Sequence, residues 1–255
     1  MSTNPDRARQ ALGDEFRVVY GDVTLPETLR APLEGQGCVY INLNSKLDER
    51  RYHEVEIGGT ANVARIAREM GVGRIGLISS ATSHGEETGI IYVDAKVRAE
   101  HAVQESGIPY LVMRPSWFYE SLPMFVRGTR AVVIGKHPLT RNWLSAADFA
   151  RQVSRAFRGA DTANTCYYNY GPERLTIMQA LVRYCTAVHP NITPTSMSYT
   201  LARLVSLAPG MSMLRKAIPF FKFFETSAEI DDPSETNRLL GKNSQTLEEW
   251  AAVQP

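Results

Sequence analysis

The chain has 255 residues, enough for one large domain or for a main domain with a small appendage. Its 44% hydrophobic and 22% charged residues are typical of a globular protein and exclude the disordered, collagen-like and low-complexity classes. Because 28 basic residues face 27 acidic ones, the net charge of +1 gives no reason to expect nucleic acid as a partner. Any partner must therefore be recognised by a local site.

The cysteines and the N-terminus bear on where the protein works. Cys38, Cys166 and Cys185 are odd in number and far apart, which favours neither a disulfide framework nor a zinc knuckle and fits a reducing cytoplasm. The first residues are polar, and no run of about 18 uncharged apolar residues occurs. We therefore expect a cytoplasmic protein that is neither secreted nor membrane-spanning.

The first half of the chain alternates β-rich runs with helical patterns. The predicted strands lie at 16–20, 38–42, 74–79 and 110–113. The predicted helices lie at 25–33, 56–70 and 92–106, and the second of these has apolar residues at i, i+3, i+4 and i+7. This alternation predicts an α/β fold with a parallel sheet and crossover helices.

The second half is less regular. Predicted elements are a short apolar run at 131–134, a helix at 146–157, a strand at 165–169, a helix at 176–188 and a terminal helical turn at 246–252. We therefore expect a dinucleotide-binding region at 1–115 and a small, mainly helical substrate-binding or lid region at 116–255. About 141–170 would return to the sheet of the first region.

The strongest chemical signal is a serine-rich strand end followed by a tyrosine and a lysine. Ser79-Ser80-Ala81-Thr82 ends the third predicted strand, and Lys96 follows Tyr92 by four residues. Residues at i and i+4 share a helix face, so both side chains can point toward the sheet edge where ligands bind in open α/β folds. The ammonium favours the phenolate and lowers the pKa of a tyrosine from about 10, which suits a general acid or base.

The alternative for this tyrosine and lysine is an ordinary solvated helix face. With 11 tyrosines in the chain, the same spacing to a lysine arises by chance roughly 0.3 times. The serine-rich strand end favours the chemical interpretation, because a serine hydroxyl there can hydrogen-bond a substrate carbonyl.

Short motifs in a fixed order extend this signal over nearly the whole chain. They are Val19-Tyr20-Gly21-Asp22-Val23, Gly58-Gly59-Thr60-Ala61-Asn62-Val63, Leu77-Ile78-Ser79-Ser80-Ala81-Thr82, Tyr92 with Lys96 and Glu100, Ser106-Gly107-Ile108-Pro109-Tyr110, Arg114-Pro115-Ser116-Trp117-Phe118, Ala147-Asp148-Phe149-Ala150 and Gly171-Pro172-Glu173. The sequence resembles the extended and atypical short-chain dehydrogenase/reductase superfamily, of the NAD-dependent epimerase/dehydratase-like and NmrA-like kinds. The resemblance implies a Rossmann-like doubly wound parallel sheet and NAD or NADP as cofactor.

The resemblance also implies roles for individual residues. Ser80, Tyr92 and Lys96 match the catalytic residues, Asp22 and Val23 would hold the adenine, and Pro115 would begin the segment flanking the nicotinamide. The residues that would contact the cofactor are Asp22, Val23, Asn44, Ser79, Lys96, Pro115, Ser116 and Trp117. Those that would contact the substrate are His84, Trp117 and Phe118; plain core packing explains Trp117 and Phe118 equally well.

The sequence departs from the superfamily at its beginning. Members begin with a strand, a Gly-rich turn and a helix that binds the pyrophosphate, whereas this chain begins with what resembles the segment after the second strand. The predicted strand at 16–20 is then either separated from the one at 38–42 or forced to pair anew. A start inside a longer gene and a short form with a lost nucleotide site both explain the difference, and we favour the first.

Three other features of the sequence are weaker evidence of function. Gly71-Val72-Gly73-Arg74-Ile75-Gly76 fits G-x-G-x-x-G but precedes a strand, so we predict a helix C-cap and turn. The five histidines show no ligand spacing, and no metal site is expected. The apolar segment 199–225 fits an interfacial membrane helix, a lid or a small-domain core, and the breaks at Pro209, Gly210 and Pro219 favour the lid or core.

Two functions follow from these observations. The first is an NAD(P)-dependent oxidoreductase or epimerase acting on a small carbonyl, hydroxyl or nucleotide-sugar-like substrate. The second is a non-catalytic, NmrA-like cofactor sensor or interaction protein with an incomplete nucleotide site.

Overall fold

The computed structural model describes residues 1–229 and 231–254. Its α-helices are α1 (Pro5–Leu12), α2 (Arg30–Leu33), α3 (Glu49–Arg51), α4 (Gly59–Glu69), α5 (Ile91–Gln104), α6 (Ala146–Arg158), α7 (Ile177–Val188), α8 (Tyr199–Val205), α9 (Ser212–Thr226), α10 (Ser234–Leu240) and α11 (Leu247–Ala251). A π-helix spans Tyr52–Gly58, and 3-10 turns span Pro26–Leu29, Tyr119–Phe125 and Ala160–Thr162. Within the described ranges, no helix is long and apolar enough to cross a membrane.

The strands form three separate sheets. They are β1 (Cys38–Ile41), β2 (Arg74–Ile78), β3 (Tyr110–Pro115), β4 (Val126–Arg127), β5 (Arg130–Ile134), β6 (Arg141–Trp143), β7 (Thr165–Asn169), β8 (Glu173–Leu175) and β9 (Thr195–Met197). The largest sheet has the order β1-β2-β3-β7, and β1 pairs with β2 in parallel, with Cys38 opposite Arg74. Parallel strands joined by α4 and α5 confirm the predicted α/β, Rossmann-like fold.

The chain divides into two compact units. Unit one contains residues 1–79, 85–112 and 159–166; unit two contains residues 80–84, 113–158 and the described residues from 167 onward. The strands β3 and β7 each begin in unit one and end in unit two.

The predicted strand at 16–20 is wrong. Residues 16–19 are not in a strand, and Tyr20 makes only an isolated bridge with Ser2. The sheet order leaves β1 as an edge strand, so the two segments are separated rather than newly paired. β-Propensity needs a neighbouring strand to pack against, and Phe16 remains 58% exposed.

The core of unit one lies under α4. Val63, Ile66 and Ala67 are buried with Leu29 and Ile75, as the helical spacing predicted. Gly71 follows α4 with φ of +72°, a conformation that favours glycine, and its N–H donates to the Arg68 carbonyl. The G-x-G-x-x-G match is therefore the helix end and turn that the sequence predicted.

Unit two has an aromatic core built around α7. Trp143, Tyr119 and Trp250 pack together with the buried face of α7. β6 pairs antiparallel with β8. Gly171, two residues before β8, lies so close to β6 that a Cβ there would be 1.6 Å from the Trp143 carbonyl oxygen. Glycine is required there by this approach rather than by its backbone angles.

Candidate functional site

Unit one places the predicted tyrosine and lysine on α5. The helix begins at Ile91, and the buried Asp94 in its first turn accepts a hydrogen bond from the Thr88 N–H at 2.6 Å. An acidic side chain there satisfies a backbone donor and suits the positive end of the helix dipole. Tyr92 therefore lies in the first turn, and Lys96 and Glu100 follow at four-residue spacing on the same face.

Lys96 is bound by a carboxylate that the sequence analysis did not identify. Its Nζ lies 2.9 Å from Glu56 Oε2, and the Glu56 side chain is only 6% exposed. The other carboxylate oxygen accepts the Ser45 N–H at 2.9 Å. Glu56 thus connects α5 to the loop that follows β1.

Ser79 and Glu100 form a second buried pair in unit one. Ser79 Oγ donates a short hydrogen bond to Glu100, and both side chains are buried. Ser79 directly follows β2, so the bond ties the end of that strand to α5 two turns after Tyr92. Sequence analysis assigned Ser79 to the cofactor; the structure gives its hydroxyl a partner within the fold.

The loop after β1 has an unusual backbone. Lys46 and Leu47 have φ of 53° and 57°, which is the left-handed region of backbone conformation. This conformation is energetically unfavourable for residues other than glycine and is often found at ligand-binding segments. Asn44 is exposed, and its Oδ1 accepts the Lys46 N–H at 2.7 Å. Ser45 Oγ is fully buried and has no hydrogen-bond partner among the described residues.

Asp22 and Val23 lie in the turn that leads to the first 3-10 helix. Asp22 Oδ1 accepts hydrogen bonds from the Thr24 N–H at 2.9 Å and the Thr24 hydroxyl at 2.7 Å. The Val23 carbonyl accepts from Asn62 Nδ2 at 2.9 Å, and the Val23 side chain packs against Gly59. Hydrogen bonds within unit one therefore hold both residues that were predicted to contact the adenine.

Unit two contains the predicted serine and histidine. Ser80 Oγ lies 2.9 Å from the Thr82 hydroxyl and accepts the Thr82 N–H at 3.3 Å, which closes a tight turn. His84 Nδ1 lies 2.9 Å from Asp231 Oδ2. Burial raises the pKa of neighbouring Tyr168 to about 12; the charge of Arg114 opposes this shift, and the charge of Asp231 adds to it.

A buried carboxylate also binds the segment that follows β3. Glu229 accepts a hydrogen bond from Ser116 Oγ at 2.7 Å and bonds from Asn142 N and Nδ2 at 3.0 and 2.8 Å. Pro115, which precedes Ser116, is buried and is the last residue of β3. Glu229 thus joins the end of β3 to β6 within unit two.

Trp117 and Phe118 are half-buried among aromatic rings. Trp117 packs against Trp143, Phe220 and Phe224, and its contact with Phe224 is edge-to-face at 5.3 Å between ring centroids. Phe118 makes an edge-to-face contact with Phe149 at the same separation. Packing explains both side chains within unit two, and their predicted substrate contact remains a prediction.

The predicted residues fall into two groups. The predicted residues in unit one are Asp22, Val23, Asn44, Ser79, Tyr92 and Lys96, and two of them, Ser79 and Lys96, each pair with a buried carboxylate. The predicted residues in unit two are Ser80, His84, Pro115, Ser116, Trp117 and Phe118. Sequence reasoning missed Glu56, Ser45 and Glu229, because their burial and their partners are visible only in the structure; the signal in the sequence for Glu56 was an acidic residue at the start of the predicted helix 56–70.

Comparison with known proteins identifies a family and a shared fold. The sequence model of a family described as NAD(P)H-binding matches residues 1–164. No curated protein matched the sequence. The fold is similar to that of a nucleoside-diphosphate-sugar epimerase from Staphylococcus aureus, with a TM-score of 0.75 and 17% identity over 98% of this chain and 88% of that one.

Two further solved structures have the same fold. Triphenylmethane reductase from Citrobacter sp., complexed with NADP(H), has a TM-score of 0.75 and 16% identity over 98% of this chain and 88% of that one. An NADPH-dependent quinone oxidoreductase from Escherichia coli, complexed with NADPH, has a TM-score of 0.75 and 20% identity over 98% and 87%. At these identities the likeness extends to the fold alone.

Proposed function

The chain belongs to the NAD(P)H-binding family, and from this premise we propose that it is an NAD(P)-dependent oxidoreductase or epimerase-type enzyme. Its substrate would be a small carbonyl or hydroxyl compound or a nucleotide-sugar-like molecule. The observation that carries the proposal is the face of α5, where Lys96 lies one turn after Tyr92 and is held 2.9 Å from the buried Glu56.

The loop after β1 fits a polar ligand. Ser45 Oγ is buried without a partner among the described residues, and Asn44 is exposed beside it. A buried hydroxyl without a hydrogen bond is costly, so a ligand hydroxyl or phosphate oxygen at this loop would stabilise it. Asn44, Ser45 and Lys96 would hold the cofactor on this side, and Asp22 and Val23 would contact its adenine.

The chemistry divides between the cofactor and the side chains. When bound, the nicotinamide supplies the hydride chemistry. The Tyr92 hydroxyl would donate a proton to the substrate oxygen in reduction and accept it in oxidation. The Lys96 ammonium would stabilise the phenolate, Glu56 would position that ammonium, and the Ser80 hydroxyl would donate a hydrogen bond to the substrate oxygen.

The first experiment is a thermal titration of the chain with NADH and with NADPH. Ligand at 100 times its dissociation constant stabilises the folded state by ~2.7 kcal/mol, so binding raises the melting temperature and the comparison identifies the preferred cofactor. Tyr92→Phe should keep this stabilisation and abolish turnover of carbonyl substrates, and Tyr20→Phe, at a half-exposed site, is its matched control. Full turnover by Tyr92→Phe would exclude the assigned acid/base.

One observation favours a second candidate, a cofactor-sensing protein without catalysis. The Glu56 carboxylate offsets the positive charge of the Lys96 ammonium, which would otherwise stabilise a phenolate at Tyr92. Such a protein would be stabilised by NADH or NADPH but would turn over none of a panel of quinones, aldehydes and ketones. Any cofactor oxidation that depends on Tyr92 excludes it.

We also propose that the protein works in the cytoplasm. Its three cysteines are free, and Cys38 is exposed, which suits a reducing compartment.

A further inference from the structure

The connection between α8 and α9 carries a concentrated apolar surface in unit two. Its exposed side chains, here called the apolar tip, are Leu201, Leu204, Leu207, Met211 and Met213. Leu207 is 72% exposed and Leu204 62% exposed, and every residue from 207 to 213 is exposed. Large apolar side chains scattered singly over a surface need no explanation, but five within thirteen residues form a patch.

The tip is held in place by its own unit. On the opposite side of the same helices, Ala202 and Ile218 are buried with Ile134 in a small core. Arg215 in α9 donates a hydrogen bond to the Ser206 carbonyl at 3.1 Å, which fastens the turn between the helices. The inner residues therefore form a small core, and the outer ones take no part in it.

The charges around the tip have one sign. From Tyr199 to Phe224 the sequence contains Arg203, Arg215, Lys216 and Lys222 and no aspartate or glutamate. A surface groove of about 360 Å³ is lined by both Leu201 and Arg130, so a further exposed base borders the tip. Within the apolar tip, the stretch from Leu207 to Met213 has no charged residue.

We propose that the apolar tip inserts into the surface of an anionic phospholipid bilayer. Leucine and methionine side chains enter the boundary between headgroups and acyl chains, and the flanking arginines contact lipid phosphates. A second copy of this chain is a poor occupant, because a two-fold interface would bring together two basic segments with no acidic residue between Tyr199 and Phe224 to pair with them. This inference is independent of the proposed cofactor chemistry.

The test is cosedimentation of the full chain with vesicles of phosphatidylcholine alone and of phosphatidylcholine mixed with phosphatidylserine. We expect binding to the anionic vesicles only. Leu207→Glu with Met211→Glu should lower the partition coefficient at least about ten-fold, because two apolar groups are replaced by charges that cannot enter the bilayer. Val182→Glu, at an apolar site on α7 that is 43% exposed, close to the 42% of Met211, should bind as the unmodified chain does.

A second pair of variants tests the electrostatic half of the proposal. Arg130→Gln with Arg203→Gln should weaken binding to anionic vesicles about 25-fold, or about five-fold for each base. Arg158→Gln with Lys242→Gln removes the same charge from exposed sites outside the segment and should leave binding within about two-fold. All these positions are exposed, so unchanged melting temperatures will show that the variants fold.

Two results would overturn the proposal. One is failure of the unmodified chain to sediment with anionic vesicles. The other is a concentration-dependent dimer in ultracentrifugation that Leu207→Glu with Met211→Glu dissociates, which would assign the apolar tip to a second copy instead.

Discussion

In both units a buried carboxylate binds a predicted site residue. The two units differ in how far apart along the chain the carboxylate and its partner lie. In unit one, Ser79 bonds Glu100, 21 residues later, on the helix that directly follows the β2 strand end. In unit two, Ser116 bonds Glu229, 113 residues later. Local helix and strand geometry thus organises the first site, whereas the second exists only after the C-terminal segment has folded back onto β3 and β6.

The largest expected effect is on the stability of unit two, at the close approach of Gly171 to β6. Gly171→Ala places a Cβ 1.6 Å from the Trp143 carbonyl oxygen, and a backbone atom cannot move aside without displacing β6. We expect a loss of about 4 kcal/mol or more in the free energy of unfolding. Urea unfolding followed by tryptophan fluorescence measures it, because Trp117, Trp143 and Trp250 all belong to unit two.

Gly37→Ala is the matched control for that substitution. A Cβ at Gly37 meets nothing within 4 Å, and its φ does not require glycine. Its unfolding curve should coincide with that of the unmodified chain. If Gly171→Ala also unfolds normally, the approach of the two chain segments in unit two is looser than the structure shows.

The next effect concerns the carboxylate of unit two. Glu229→Ala leaves the Ser116 hydroxyl and both Asn142 donors without their acceptor in a buried site. We expect destabilisation of about 3 kcal/mol, again read by tryptophan fluorescence. Glu235→Ala removes an exposed carboxylate that pairs with Arg238 three residues later, and should have little measurable effect.

A double-mutant cycle tests the corresponding pair in unit one. Glu56→Gln leaves the Lys96 ammonium, 21% exposed, without its charged partner, and Lys96→Met leaves the carboxylate without its base. We expect each single variant to be destabilised and the double variant to recover about 2 kcal/mol, measured by circular dichroism in urea. Additive effects would show that the pair does not hold α5.

If the chain turns over a substrate, the same variants also distinguish a positioning role of Glu56 from a purely structural one. A positioning role for Glu56 predicts that Glu56→Gln shifts the pH profile of kcat, whereas a purely structural role lowers stability and leaves the profile unchanged.

Sequence reasoning succeeded where spacing fixes geometry. The four-residue intervals among Tyr92, Lys96 and Glu100 predict one helix face, and α5 places them there. It failed at 16–20, because β-propensity cannot show whether a neighbouring strand is present. It also missed Glu229, since no periodicity links a residue after α9 to the end of β3. Local sequence patterns cannot predict contacts made by a segment that is distant along the chain.

The smallest expected effect is the alkaline response of Tyr168 in unit two. Burial raises its pKa to about 12, although Arg114 opposes the shift. The folded pKa lies above the unfolded value of about 10, so the stabilising contribution is complete below pH 10 and is lost as the pH rises through 12. Tyr168→Phe should therefore reduce the fall in melting temperature between about pH 10 and pH 12. If the fall is unchanged while Tyr20→Phe behaves identically, the Tyr168 hydroxyl ionises as readily in the folded chain as in the unfolded one, and its burial beside Arg114 does not restrain it.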